Sequence, residues 1–497
     1  MLFKKSTLGE IVIITVNTGH FSAADALLLK TEVAMISALA ELHILIDLTP
    51  VKRIDFASLG TLVTVLKSIG RRGSFSLCGL GKKVMERLHR THLEHVFTVF
   101  PTRHAALQPD ALGPYALSDV KALILCAGKG TRARPLSFDS PKPMLDVMGK
   151  PILHHCIDFL KSWGIRNVAL NTSYQPESIE GYFGCGRSLG IKTVYSREGC
   201  MDGDRFSGRA VGSAASIQLI QQRFQYFDDD FVVMCGDALV DLDLNQMMRV
   251  HRRSGAIATI AAMTVPKSDV HKYGVIKSEA TGKISSFQEK PAPEKALSCQ
   301  VNTGIYIFSP RVLDFIPGSG DFDIGADLLP RLIEQNQHVQ IYKSHFNWTD
   351  VGCIKDYYHA NAKAVSGNIN TISTSARMLR PNLWAEESAT VSPKALIHGP
   401  TYVGRNAVVE ADASLSGVSI IGAGSLISAK SYCRDSIVLP GTVLLAGAIV
   451  SGMCAGPNWC VRHSFAVGEV TEFEDLDRVI ASGEPTDRQA PLEVLRA

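Results

Sequence analysis

Three basic and two acidic side chains stand along the middle of this 497-residue chain in company that suits the handling of phosphate esters. The stretch LCAGKGTRARPL begins at Leu125, and PKPML from Pro141 and GKP from Gly149 follow it. Gly128 and Gly130 would let backbone N–H groups approach phosphate oxygens closely, because a Gly-rich turn at a strand end leaves its donors uncovered. Arg132 and the proline-bracketed Lys142 add fixed positive charge. Further on, Cys235-Gly-Asp237 ends an apolar run, Tyr273-Gly274 reads as a loop, and FQEKP ending at Pro291 precedes NTGIY from Asn302 and WTDVG from Trp348. Lys290 is the third cation, and Asp237 and Asp350 offer hard oxygens of the kind Mg²⁺ takes together with phosphate oxygens and water. Two phosphate groups repel one another, so bringing them together requires such cations and a metal. A phosphate oxygen, with a second pKa of about 6, needs no strong general base, so no Ser/His/Asp triad is required. His154 and His155 follow Pro151 at an expected helix start and read as structural.

In order and spacing these pieces resemble the nucleotidyltransferase family that makes nucleotide sugars, whose signature runs L-x-A-G-x-G-T-R-x-R-P-L and then P-K-P. The likeness spans residues 120–358. It implies a nucleoside triphosphate held by Ala127, Gly128, Gly130, Thr131 and Arg132, with Gly212 in the base pocket. It further implies Lys142 at the α-phosphate, Mg²⁺ on Asp237 and Asp350, Lys290 at the sugar phosphate, and Gly274, Glu289 and Asn302 at the sugar. Arg132, Lys142, Asp237 and Lys290 would carry catalysis, an in-line displacement at the α-phosphorus driven by positioning and charge neutralisation. One segment departs from the pattern: the family's L-G-T-A-G turn reads VGSAA from Val211, after a longer stretch over 197–209. Glu198, after Tyr195, is similar to guanylyl- and mannose-type members. GTP with mannose 1-phosphate is therefore the expected pair, and glucose 1-phosphate with dTTP or UTP the alternative. A non-catalytic regulatory subunit would be expected to lose the metal or phosphate residues, whereas this chain keeps all five.

The elements that must position these residues can be outlined from periodicity. From Val120 onward, short apolar runs at 121–126, 167–170 and 231–235 alternate with helix-like stretches, the pattern of a Rossmann-like, mostly parallel sheet with helices on both faces. Ligands sit at the carboxyl ends of such strands. Upstream, strands are predicted over 10–16, 43–48 and 74–80 and a helix over 57–69, a small α/β unit. Through Ile44–Leu48, Asp55, Leu59-Gly60 and that helix it resembles a STAS domain. The family's phosphorylation turn reads Asp55-Phe-Ala-Ser58, with Ala57 at the acceptor position and Ser58 beside it, which favours a protein-docking or nucleotide-sensing module, with a purely structural appendage as the alternative. Residues 107–119 read as a linker.

Downstream, Val391, Ile397, Val403, Val409, Leu415, Ile421, Ile427, Cys433, Leu439 and Leu445 stand six apart and are apolar, most with a small residue two positions earlier. A period of six belongs to a parallel β-helix with one unit per flat side, and resembles the hexapeptide-repeat left-handed β-helix. The expected domains are thus 1–110 (STAS-like), 118–364 (nucleotidyltransferase), 380–460 (β-helix) and a charged tail over 461–497. No repeat unit carries a His or acid cluster, so the β-helix is expected to stabilise or assemble the molecule.

A net charge of +3 is too balanced for a nucleic-acid footprint. Eleven cysteines without a CxxC pair read as reduced thiols, and no apolar stretch reaches membrane-spanning length. A cytoplasmic homo-oligomer, with a protein partner at the STAS-like region, is the expectation.

Overall fold

The computed structural model describes residues 2–463, except 9–10, 38–42, 70–73, 92, 94–95, 108–116, 139, 204 and 370, and also describes 480–481. Most of the expected linker and nearly all of the expected charged tail lie outside the described residues.

The first unit is a sheet in the order Phe3–Leu8, Ile11–Val16, His43–Asp47, Ser74–Cys78, Thr98–Phe100. The first pair is antiparallel and the others are parallel. Helices Ala23–Ser37, Phe56–Ile69 and Lys82–Arg90 flank it. Its core is self-contained, with Ile14, Ile46, Leu62 and Leu77 packed among residues of this unit alone. Ser58 is fully buried, and its hydroxyl donates to the Phe21 carbonyl at 3.1 Å, so the hydroxyl beside Ala57 is sealed from any phosphate donor.

The second unit is built on a described nine-stranded sheet whose main path runs Lys192–Arg197, Asn167–Thr172, Lys121–Leu125, Phe231–Cys235, Gln300–Phe308, Ala258–Thr264, Val339–Lys343. The first four strands are parallel, and their carboxyl ends align at Leu125, Asn171 and Cys235. The expected mostly parallel sheet is borne out, with one strand of the main path reversed. Gln300–Phe308 runs antiparallel to both neighbours, because it returns directly to the sheet after the hairpin of Gly274–Ser278 and Ile284–Glu289. That return carries Asn302 to the same edge as Asp237.

The third unit is a parallel β-helix with three flat sides. One side stacks Leu383–Ala385, Thr401–Val403, Ser419–Ile421 and Ser436–Val438. The second stacks Thr390–Val391, Val408–Val409, Leu426–Ile427 and Val443–Leu444. The third stacks Leu396–His398, Ser414–Ser416, Tyr432–Arg434 and Ile449–Ser451. The hexad register holds as far as Cys433 and then slips by one residue. Val438 and Leu444 point inward where Leu439 and Leu445 were expected. The slip occurs at the corner where Ser416 to Ser419 pairs with Arg434 to Ser436, one residue shorter. Buried Ser436 and Thr442 then resume the row of small residues that Ile437 and Val443 had seemed to interrupt.

The β-helix has an interior of its own, but unlike the STAS-like unit it also buries a flank in the core of the second unit. Tyr402, Ile420, Ile437 and Cys454 are buried in one cluster with Val147, Ile152 and Tyr357. No described helix is long and apolar enough to cross a membrane.

Candidate active site

A cleft of about 420 Å³ opens at the carboxyl edge of the parallel strands. Its wall includes Ala127, Gly128 and Gly212 from the nucleotide set, Gly274, Glu289, Lys290 and Asn302 from the sugar set, and both carboxylates, Asp237 and Asp350. Gly130, Thr131, Arg132 and Lys142 are outside that lining and flank it. Lys142 forms an ion pair with Asp237. A Cβ on Gly130 would meet the Lys142 Cβ at 3.1 Å, so the Gly-rich turn and the Pro-Lys-Pro turn are packed together. Arg132 lies against Gly352, two residues past Asp350.

The two acids meet because a short strand pairs Ala238 with Asp350, and the Val351 N–H donates to the Asp237 carbonyl at 3.0 Å. Burial raises the Asp350 carboxyl to about 7, the neighbouring Asp237 adds to the rise, and Lys142 and Arg132 oppose it. Burial also disfavours the Lys142 ammonium, but Asp237 and Asp350 outweigh it and hold the charge.

On the sugar side, Gly274 pairs with Glu289 across a hairpin, which places the Tyr-Gly and Glu-Lys-Pro motifs opposite each other. Lys290 takes a left-handed backbone conformation, φ 45°, its N–H donating to the Tyr273 carbonyl at 3.2 Å. Strain of this kind in a residue other than glycine accumulates where a side chain must be aimed. Asn302 is engaged at both ends: its amide donates to the Tyr306 hydroxyl at 2.7 Å, and its oxygen accepts from the Gly304 N–H at 2.9 Å.

Sequence reasoning missed a polar network at the end of the cleft near Gly212. Asn171 accepts from the Cys126 N–H at 2.6 Å and donates to buried Glu198 at 2.8 Å. Glu198 also accepts from the Ser216 hydroxyl at 2.5 Å and from the Val211 N–H at 3.1 Å. A polar residue near the end of a buried strand was the available signal. Lys272, just before Tyr273, is a further cation in the wall. His154 and His155 stay structural: His155 is buried against the Val147 carbonyl at 2.9 Å, and His154 meets the Tyr182 hydroxyl at 3.0 Å.

The nucleotidyl transferase family model matches residues 121–367, and the STAS domain model matches 4–106. A UTP–glucose-1-phosphate uridylyltransferase of Synechocystis sp. is 38% identical over 353 residues, 71% of this chain and 91% of that protein. The chain belongs to the nucleotidyl transferase family. A mannose-1-phosphate guanylyltransferase of Mycobacterium tuberculosis is 31% identical over 61% of this chain and 80% of its own length. A glucose-1-phosphate adenylyltransferase of Desulfitobacterium hafniense is 26% identical over 71% and 90%. The expected nucleotidyltransferase activity and the N-terminal STAS domain are both borne out.

Proposed function

We propose that this nucleotidyltransferase transfers a uridylyl group from UTP to glucose 1-phosphate and releases pyrophosphate. The observation that carries the substrate pair is the likeness to the Synechocystis uridylyltransferase, which extends over 91% of that protein. The base end supports it. Reading guanine through its N–H edge takes two free acceptor sites, whereas both of those on Glu198 Oε1 are taken by Asn171 and Ser216 and one on Oε2 by Val211. The guanylyl cue in Glu198 is thereby reassigned to holding the loop. Mannose 1-phosphate with GTP remains the second reading, favoured by the mycobacterial relative.

In this reading the 126–132 turn presents N–H groups and Arg132 to the triphosphate, and Lys142 neutralises charge at the α-phosphate. Lys290 draws in the sugar phosphate, while Glu289 and Asn302 orient the sugar hydroxyls. Asp237 and Asp350 are a fitting donor set for Mg²⁺, because burial, with the Asp237 carboxylate beside it, disfavours a bare Asp350 carboxylate, and a hard divalent cation would relieve both. When bound, the ion would supply positive charge to phosphate oxygens. The sugar phosphate is already anionic, so the protein has no proton to remove and acts by alignment.

A pyrophosphate-release panel across four nucleoside triphosphates and several sugar 1-phosphates tests the pair. UTP with glucose 1-phosphate should give the highest kcat/KM. A preference for GTP with mannose 1-phosphate would overturn it.

A further inference from the structure

Lys142 is joined to the β-helix by one short hairpin, and we propose that this hairpin is a latch through which Glu386, on the first coil, and Tyr402, on the second, position Lys142 for transfer. The inference rests on the assignment of Lys142 made above. Lys142 opens a single turn, Lys142–Met144, and the Leu145 N–H donates to its carbonyl at 3.1 Å. Strands Asp146–Val147 and Lys150–Pro151 follow, closed by the Ile152 N–H donating to the Leu145 carbonyl at 3.0 Å. The two tip residues, Met148 and Gly149, have φ of 53° and 84°, the left-handed pair that a tight two-residue hairpin needs.

That tip is seated against the β-helix and the segment that leads into it. The Thr374 hydroxyl donates to the Met148 carbonyl at 3.0 Å, and Lys150 donates to the Ser373 hydroxyl at 2.7 Å. A Cβ on Gly149 would overlap the Tyr402 hydroxyl and lie 2.9 Å from Glu386 Oε1. Glu386 is buried, with Oε1 accepting from Tyr402 at 3.2 Å and Oε2 from the Ser375 hydroxyl at 2.7 Å. Nearer the base, the Tyr357 hydroxyl donates to the Asp146 carbonyl at 2.5 Å.

Cohesion between the units does not require this arrangement, since Ile420, Ile437 and Cys454 already pack apolar surface against the second unit. Burying a carboxylate opposes stability unless its acceptors are filled, and the filling fixes one geometry. A hairpin held rigidly at its tip holds its base, and Lys142 is pressed from the other side by the Gly130 turn. The lysine that faces the reacting phosphorus is thus set between two surfaces, one of which belongs to the β-helix. This reverses the expectation that the repeat region stands apart from the chemistry.

The test is a double-mutant cycle on the full chain, pairing Tyr402→Phe or Gly149→Ala with Lys142→Gln. Each latch variant should lower kcat about tenfold, with KM for UTP and glucose 1-phosphate within about twofold, since misplacement far from the chemistry acts on the transition state. In the Lys142→Gln background the residual turnover should not fall further, because groups acting as one unit are non-additive. Should Gly149→Ala fail to fold, Tyr402→Phe decides alone. A folded Tyr402→Phe variant with parental kcat, or with only a lower melting temperature, overturns the latch, as does an additive effect with Lys142→Gln. If Lys142→Gln itself leaves kcat unchanged, the lysine assignment fails and the latch falls with it.

Discussion

Asp237 and Asp350 are held side by side through backbone hydrogen bonds, which makes them the sharpest residues to test. Replacing either with Asn keeps its shape and removes one charge. Turnover should fall by about 10²–10⁴, with a smaller change in nucleotide binding and a raised Mg²⁺ requirement. The double variant should be little worse than the singles. Parental activity at unchanged metal demand would remove both residues from the site.

Asp146 invites a different measurement at the same scale. Burial, followed by the charge of Glu386, raises its carboxyl from 3.8 to about 6 in the folded chain. The folded state therefore holds more protons between those values, and stability falls as pH rises through that window, fully so above about 6. Asp146→Asn should raise stability by about 1–2 kcal/mol near pH 7.5, after allowance for solvent screening, and by almost nothing near pH 4. His155 has the opposite sign. Burial lowers it to about 4 from 6.5, so it destabilises the fold as pH drops through that range, in the variant and the parent alike. Melting curves across pH separate the two. The residues of the cleft were legible in the sequence because their types and order carry the chemistry. Asn171 and the hydrogen bonds of Glu198 were not, since what defines them is contact with Cys126, Val211 and Ser216, which no local pattern announces.

Among the elements, the β-helix was readable from its period and misread only after Cys433. One residue lost at a corner leaves every later hexad apolar at the wrong position, because alternate residues of a strand face opposite ways. The corrected register has a direct consequence. Leu444, fully buried, should cost about 2–4 kcal/mol when changed to Ala, whereas Leu445→Ala should cost less than about 1 kcal/mol. Equal losses in thermal melts would restore the uninterrupted period. The strand Gln300–Phe308 was missed for another reason. Direction is set by how the preceding hairpin returns to the sheet, and apolar content is the same for a parallel or an antiparallel neighbour.

For the whole molecule, the contrast lies in how the flanking units meet the enzyme. The STAS unit keeps its own core, and a described contact with the second unit is Arg249 over the Phe100 ring at 5.7 Å. A chain of residues 117–497 should therefore fold and keep kcat within about twofold, because no described cleft residue comes from the first unit. A large loss of turnover in such a folded chain would give the STAS unit a part in the reaction. The β-helix cannot be removed so neutrally, since a cut after Ala364 would bare the buried faces of Val147 and Ile152 along with the latch. Nothing in the sequence forecast that difference, because the partners of residues 146–150 lie more than 200 positions away.

A stack of coils ends, in geometry, on an open row of backbone donors and acceptors, which is the template from which fibres grow. Here the chain doubles back on itself at that end. Met453–Gly456 is met antiparallel by Trp459–Arg462, and Val443–Leu444 by Ile480–Ala481. Two of the three sides are thus closed by strands running the wrong way to be continued. On the third, Ile449 remains two-thirds exposed. Among the described residues, then, two sides of the prism at this end are met by returning strands and one is not, which narrows the edge from which end-to-end growth could start.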